Sequence, residues 1–264
     1  MEKRKKVDKP GFKHFKPAFT ENKDLVFGTR AIIEAIRAGK EVDKLLIQKG
    51  LTNELTTELI NEATQAGVPI QKVPVEKLNK LTRKNHQGAV CYLSVIRYAP
   101  VAEVVSACFE KGVDPFLVIL DRITDVRNFG AVARTADCAG VHALVIPDKG
   151  SAQIGSDAMK TSAGALNFLS VCREHNLKDT IRYLKDSGLK IIACTEKGEQ
   201  NLYELDLKGP VAIIMGSEED GISPEYLRLA DFKGKIPMVG NIESLNISVA
   251  AGVAMYEVVR QKGL

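Results

Sequence analysis

Six short runs between residues 116 and 237 are apolar along most of their length rather than alternating: 116–120, 143–146, 168–172, 190–194, 211–215 and 235–237. Helix-like segments separate or follow them, around 131–139, 157–162, 177–187, 224–230 and 245–262. A strand that is apolar throughout has both faces buried. Such strands, alternating with helices, build a parallel sheet covered on both sides. The pattern therefore predicts an α/β unit over residues 115–264, with no internal repeat.

The 264 residues are enough for a second core. From Leu25 the pattern again mixes helix and strand. Helices are expected at 28–38, at 53–66 (closed by Gly67) and at 75–81, and strands at 44–47, 68–73 and 89–95. A glycine just past a periodic apolar run is the usual helix stop, because it accepts a left-handed backbone. Residues 25–98 thus read as one small α/β domain. Residues 99–114 read as a linker, in which Pro100 and Pro115 bracket a helical turn at 102–110 ended by Gly112.

Charge is unevenly spread. The net charge is +4, yet residues 1–23 hold seven lysines and Arg4 against Glu2, Asp8 and Glu21, a net of +5. Residues 1–24 are expected to be a flexible basic tail. Its lysines could neutralise phosphates, and Phe12, Phe15 and Phe19 could stack on unpaired bases. A solvated tail that aids solubility, or an expression remnant, explains the same composition. No apolar run approaches the roughly 18–20 residues that cross a bilayer, and no apolar segment follows the basic residues as in a secretory signal. Five dispersed cysteines fit a reducing cytoplasm. Four scattered histidines give no metal-ligand spacing.

A dinucleotide fold places a GxGxxG turn after its first strand. Here that strand runs into Leu120-Asp121-Arg122-Ile123-Thr124-Asp125, which disfavours NAD, FAD and the usual Rossmann methyltransferase site. Two later strand ends do carry glycine, Met215-Gly216-Ser217-Glu218 and Met238-Val239-Gly240-Asn241. Each reads either as a place where a ligand meets backbone or as a tight turn. Finally, Ser244-Leu245-Asn246 precedes a helix rich in small residues, so that polar groups meet a helix N-terminus. Alone, Ser244 would read as a simple cap.

Three segments, in this order, carry a family resemblance: Asn128-Phe129-Gly130-Ala131-Val132-Ala133-Arg134-Thr135-Ala136, Ile213–Ile222 around Met215-Gly216-Ser217-Glu218-Glu219-Asp220-Gly221, and 236–257. Together they resemble the three motifs of the SpoU (TrmH-type) RNA 2′-O-ribose methyltransferases. Val26-Phe27-Gly28-Thr29-Arg30-Ala31 and Asn85-His86-Gln87-Gly88 resemble the ends of that family's small substrate-binding domain. With both parts present, the match is closest to the 23S ribosomal-RNA guanosine 2′-O-methyltransferase subgroup. Val126 stands where many relatives have proline, and Phe129 where leucine is frequent.

The resemblance implies an L30e-like RNA-binding domain at 25–98 and a methyltransferase domain at 115–264 tied in a deep trefoil knot. It implies S-adenosylmethionine as cofactor, enclosed by Gly216, Ile236 and Leu245, with Thr195, Met238 and Ser244 nearby. It implies Arg134, Asn128, Glu218 and Asn246 as the catalytic set. Arg134 cannot serve as a free base, its pKa exceeding about 12. It would instead clamp phosphate and stabilise a developing alkoxide. Asn128 would cap its helix and orient ribose. Arg30 and Lys160 would meet RNA. Small residues Ala250, Ala251, Gly252 and Ala254 would form a homodimer contact, although burial within one chain explains them equally. No metal is called for. A transfer-RNA methyltransferase, or a ribosome-assembly factor that binds RNA without catalysis, remains an alternative.

Overall fold

The computed structural model describes residues 24–263. The basic tail, with Phe12, Phe15 and Phe19, lies outside the described residues. The first unit opens with β1 (Leu25–Phe27), α1 (Thr29–Arg37), β2 (Val42–Gln48) and α2 (Glu54–Gln65). It continues with β3 (Ile70–Val73), α3 (Val75–Leu81) and β4 (Ala89–Leu93). The four strands form a sheet in the order β1-β4-β2-β3, antiparallel except for the β2–β3 pair. Ile32 and Ile33 of α1 and Leu59 and Ala63 of α2 pack on one face of it, and Leu78 of α3 on the other. The three-residue strand β1 had no counterpart among the strands expected from sequence. Its brevity leaves no alternation to read, and pairing with β4 creates it.

In the second unit, α4 (Val101–Glu110) leads into β5 (Phe116–Leu120), α5 (Val126–Cys138), β6 (Ala143–Pro147) and α6 (Ser156–Thr161). Then come β7 (Ser170–Glu174), α7 (Leu177–Asp186), β8 (Lys190–Cys194) and the two-residue β9 (Gln200–Asn201). β10 (Val211–Met215), α8 (Pro224–Leu229), β11 (Phe232–Lys235) and α9 (Ile247–Lys262) complete it. The sheet is parallel at every pairing, in the order β7-β6-β5-β10-β8-β11-β9. Alternate residues of β5 enter opposite layers. Phe116, Val118 and Leu120 join α5 and α9, whereas Leu117 and Ile119 join α4 and α7. The two-sided apolar reading of these strands is therefore correct. The helix expected in the linker, α4, also belongs to this unit, because Val101 and Val105 are buried in its core.

Two strands differ from their expected bounds. The last strand was expected at 235–237 but ends at Lys235. Pro237 has no N–H for a ladder, and the apolar residues after Lys235 face a cavity instead of a neighbouring strand. The strand expected at 168–172 is displaced to Ser170–Glu174, leaving Phe168 exposed.

The units are joined by more than the connecting chain. Arg173 of β7 donates through Nη1 to the carbonyls of Val42 (3.3 Å) and Asp43 (3.0 Å) and stacks 4.1 Å over the Tyr98 ring. Tyr98 in turn donates to the Asp43 carboxylate. Burial pushes the Asp43 carboxyl up, opposed by Tyr98 and Arg173. Asp24 accepts the Ser156 N–H at the start of α6 (2.9 Å).

Candidate active site

Strand β5 lies mid-sheet. The chain builds β6 and β7 on one side of it, then crosses to build β8 beyond the position that β10 later fills. Such a reversal leaves a crevice beyond the carboxyl ends of parallel strands, where ligands bind in open α/β sheets. A cavity of about 900 Å3 occupies that place. Its walls are the segments after β8 (Thr195 to Lys197), after β10 (Gly216 to Ile222) and after β11 (Ile236 to Asn246).

All six residues expected to enclose a cofactor line this cavity: Thr195, Gly216, Ile236, Met238, Ser244 and Leu245. Thr195 is buried and Ile236 packs against the core, whereas Met238, Ser244 and Leu245 are exposed. Cys194 also faces the cavity, but burial pushes its thiol up to about 12, so it holds no thiolate near neutral pH.

Gly216 stands in a tight turn, one of the two expectations for its strand end. A Cβ there would lie 2.2 Å from the Gly221 carbonyl carbon and 2.3 Å from the Ile222 nitrogen. The turn following β10 folds back against it, closed by Ser217 N–H to Gly221 O (3.1 Å) and Gly221 N–H to Ser217 O (3.0 Å). The glycine admits its own turn.

Asn128, Glu218 and Asn246, remote in sequence, meet at the cavity edge. Asn128 Nδ2 donates to Glu218 Oε1 at 3.0 Å, and Asn246 Nδ2 donates to the same oxygen at 2.8 Å and to Asn128 Oδ1 at 3.1 Å. The expected cap role of Asn128 is corrected. Helix α5 begins at Val126 and is capped by Asp125, whose carboxylate accepts the Asn128 N–H (2.8 Å). Asn128 stands inside the first turn, and its amide is left for the network. Asn246 is the residue that caps: its Oδ1 accepts Ser248 N–H (3.0 Å), so α9 starts at Ile247 and not at Leu245. One side chain thereby starts the helix with its oxygen and joins the network with its nitrogen.

Arg134 does not join this group. It is exposed on α5 and has no ion-pair partner among the described residues. Six residues of helix carry it about 9 Å along the axis and about 240° around it from Asn128. Lys160 is exposed on α6, 3.5 Å from Asp157. Gly130 lets α6 close on α5, since a Cβ would sit 1.9 Å from Thr161 Oγ1. Arg30 is exposed on the first turn of α1, beside the Asn85–Gly88 turn, where Thr29 Oγ1 donates to Gln87 O (3.4 Å).

Sequence reading passed over Asp121 and Arg122. Asp121 is buried, and its carboxylate accepts Ser223 N–H at 2.7 Å and Arg122 Nε at 3.0 Å. Arg122 reaches Asp220 (2.9 Å) and Gly221 O (3.3 Å). A pair of adjacent opposite charges ending a buried strand was the available signal.

The donor set suits an amphipathic, positively charged nucleoside. Apolar Ile222, Ile236 and Leu245 offer a slot for a flat base, main-chain groups of three loops offer polar contacts, and Glu196, Glu218 and Glu219 make the rim acidic.

Comparison with known proteins agrees with the fold. Residues 115–256 match the SpoU rRNA Methylase family, and residues 25–99 match the RNA 2′-O ribose methyltransferase substrate binding family. A Bacillus subtilis protein assigned to the TrmH family of tRNA/rRNA methyltransferases is 33% identical over 92% of this chain and 98% of its own. An AdoMet-bound rRNA methyltransferase from Sinorhizobium meliloti shares the fold at TM-score 0.56 and 24% identity, covering 89% of this chain and 86% of the other. A TrmH/SpoU tRNA modifying enzyme of A. aeolicus superposes at TM-score 0.52 and 29% identity over 60% of this chain and 84% of its own. With both halves matched by sequence and the fold shared, the chain belongs to the SpoU rRNA methylase family of RNA 2′-O-ribose methyltransferases.

Proposed function

We propose that this protein methylates the 2′-oxygen of one ribose in structured RNA, using S-adenosylmethionine, and that its substrate is a guanosine of 23S ribosomal RNA. The observation that carries the reading is the convergence of Asn128, Glu218 and Asn246 at the edge of a cavity lined by all six expected cofactor residues. For ribosomal RNA speaks the extent of the matches. Two family models together match residues 25–99 and 115–256, whereas the A. aeolicus tRNA enzyme reaches only 60% of this chain. The cofactor would supply a methyl group on a sulfonium, with a neutral thioether leaving, so no metal is needed.

The chain's residues have the remaining work. Gly216, Ile236 and Leu245 hold the adenosine portion, aided by Thr195, Met238 and Ser244. Glu218, held by two amides, keeps the Asn246 junction fixed and places Asn128 against the ribose. Arg134, further along α5, grips the neighbouring phosphate as a bidentate cation and stabilises the alkoxide as it forms, with the phosphate accepting the proton. Holding hydroxyl and methyl in line can itself lower the barrier by on the order of 7–11 kcal/mol. Arg30 and Lys160 bind RNA backbone. The same reading takes residues 25–98 as an L30e-like recognition domain, 99–114 as a linker whose helix α4 packs on the second unit, and the C-terminal segment as threaded into a trefoil knot.

A homodimer fits the apolar surface. Of the small residues expected at that contact, Ala251 and Ala254 are buried within the chain; exposed apolar residues before and along α9, Val239, Ile242, Val249 and Tyr256, take their place in the reading. The reading places the protein in the cytoplasm; no helix among the described residues is long and apolar enough to cross a membrane. Titration calorimetry with S-adenosylmethionine, followed by mapping of ribose methylation in ribosomal and transfer RNA from cells with and without the protein, tests it. Saturable binding and one missing rRNA methyl group are expected. Absence of binding at millimolar ligand would favour the assembly factor, and a missing tRNA methyl group the transfer-RNA enzyme.

A further inference from the structure

We infer that Asp121 and Arg122 are positioning residues which clamp the turn after β10, and so set Glu218 against Asn128 and Asn246. The inference rests on the site reading above. Arg122 has φ of +60°, a left-handed backbone that a non-glycine residue rarely adopts. Strain of this kind persists only where the surroundings over-determine it, and it gathers at functional sites. The buried Asp121 carboxylate accepts Arg122 Nε (3.0 Å) and, from the segment after the neighbouring strand β10, Ser223 N–H (2.7 Å). The Arg122 guanidinium extends over the same turn, with Nη1 to Asp220 (2.9 Å) and Nη2 to Gly221 O (3.3 Å).

The turn is thus held from Asp220 to Ser223 by two neighbouring residues at the end of β5. Within it, Asp220 N–H donates to Ser217 Oγ (3.1 Å), leaving Glu218 at the tip and facing the two asparagines. The guanidinium is part-exposed, so the clamp lies at the surface of the cavity wall and not in the core. The hydrogen bond to the Asp121 carboxylate raises the Arg122 pKa above its ordinary value, which favours the charged guanidinium. Asp121 also sits in the same strand-to-helix loop as Asp125, which caps α5 and thereby sets Asn128. One loop therefore positions both partners of the Asn128–Glu218 hydrogen bond.

Arg122→Gly is the informative variant, because glycine accepts the left-handed backbone, and the relief of that strain offsets part of what the buried Asp121 carboxylate loses with its guanidinium partner. In that variant we expect kcat to fall by about tenfold to a hundredfold, the scale of a small misplacement remote from the reacting atoms, with KM for RNA moved much less. Arg122→Lys can reach only one of the two carboxylates and should recover part of kcat. The side-chain amide resonances of Asn128 and Asn246 give a reading independent of catalysis. In the unmodified protein both should carry the shift of a carboxylate partner, and in Arg122→Gly they should move toward their positions in Glu218→Ala. Unmodified kcat and unmoved amide signals in Arg122→Gly would overturn the inference. If the protein itself transfers no methyl group, the functional reading falls, and the amide signals alone still decide the clamp.

Discussion

Asn246 Nδ2 lies 3.1 Å from Asn128 Oδ1, although 118 residues separate them along the chain. Asn246 also caps α9 through Oδ1, and its two roles can be separated. Aspartate keeps a capping oxygen but loses the donor, and places a second carboxylate beside Glu218. We expect Asn246→Asp to unfold within about 1 kcal/mol of the native protein, since the cap survives. Its kcat/KM should fall about 10–100-fold, the scale of a hydrogen bond to a charged group. Asn246→Ala should lose both. Denaturant midpoints with methyl-transfer rates check this, and equal stability losses in the two variants would refute it.

Arg134 is exposed and unpaired among the described residues, so its removal leaves no orphaned carboxylate. Arg134→Ala should cost methylation a factor on the order of 100–1,000, as for the loss of one transition-state donor. Affinity for S-adenosylmethionine should stay within a few-fold. A large loss of cofactor affinity in calorimetry would mean that the guanidinium serves the cofactor and not the RNA.

At Gly216 the obstacle is backbone, not a flexible side-chain tip. Gly216→Ala must displace the turn that carries Glu218. Overpacking of this kind typically costs about 1–3 kcal/mol, and the cavity wall shifts with it. Lower thermal stability together with weakened cofactor binding is expected; stability at the native value would show that the turn yields freely.

Glu257 on α9 is buried, and its carboxylate accepts from Arg260 (2.9 and 2.7 Å) and Gln261 (2.7 Å). The Arg260 hydrogen bond, ahead of an opposing burial effect, holds its pKa below the ordinary value. A depressed folded pKa means that the contribution is present above the unfolded value of about 4.3 and is lost as pH falls through the folded one. Urea unfolding should show Glu257→Gln less stable than the native protein at pH 7, with the gap closing below about pH 4.3. A gap independent of pH would remove the carboxylate from the explanation.

Much of this site was legible because its parts are local. A buried parallel strand advertises itself by continuous apolar character, and 116–120, 190–194 and 211–215 are placed as expected. The six cavity residues follow strand ends or precede a helix, positions that a linear reading can find. The misplaced details are those in which a side chain chooses between partners. Asn128 could have capped α5, but Asp125 took that position; Ser244 could have capped α9, but Asn246 did. Such competition is decided by differences of about 1 kcal/mol, too small to read from residue types.

The amino-acid order by itself determined the α/β class, two cores and the short segments that bear polar side chains, because periodicity and turn chemistry act over a few residues. Only the tertiary structure decided that β10 would lie between β5 and β8 and so bring residues 121–128, 216–223 and 236–246 together. It also decided that a strained Arg122 braces the turn after Gly216, and that Arg134 stands apart from the asparagines. Each of these depends on groups a hundred or so residues away, or on the rotation of a helix about its axis, and neither is encoded in local spacing.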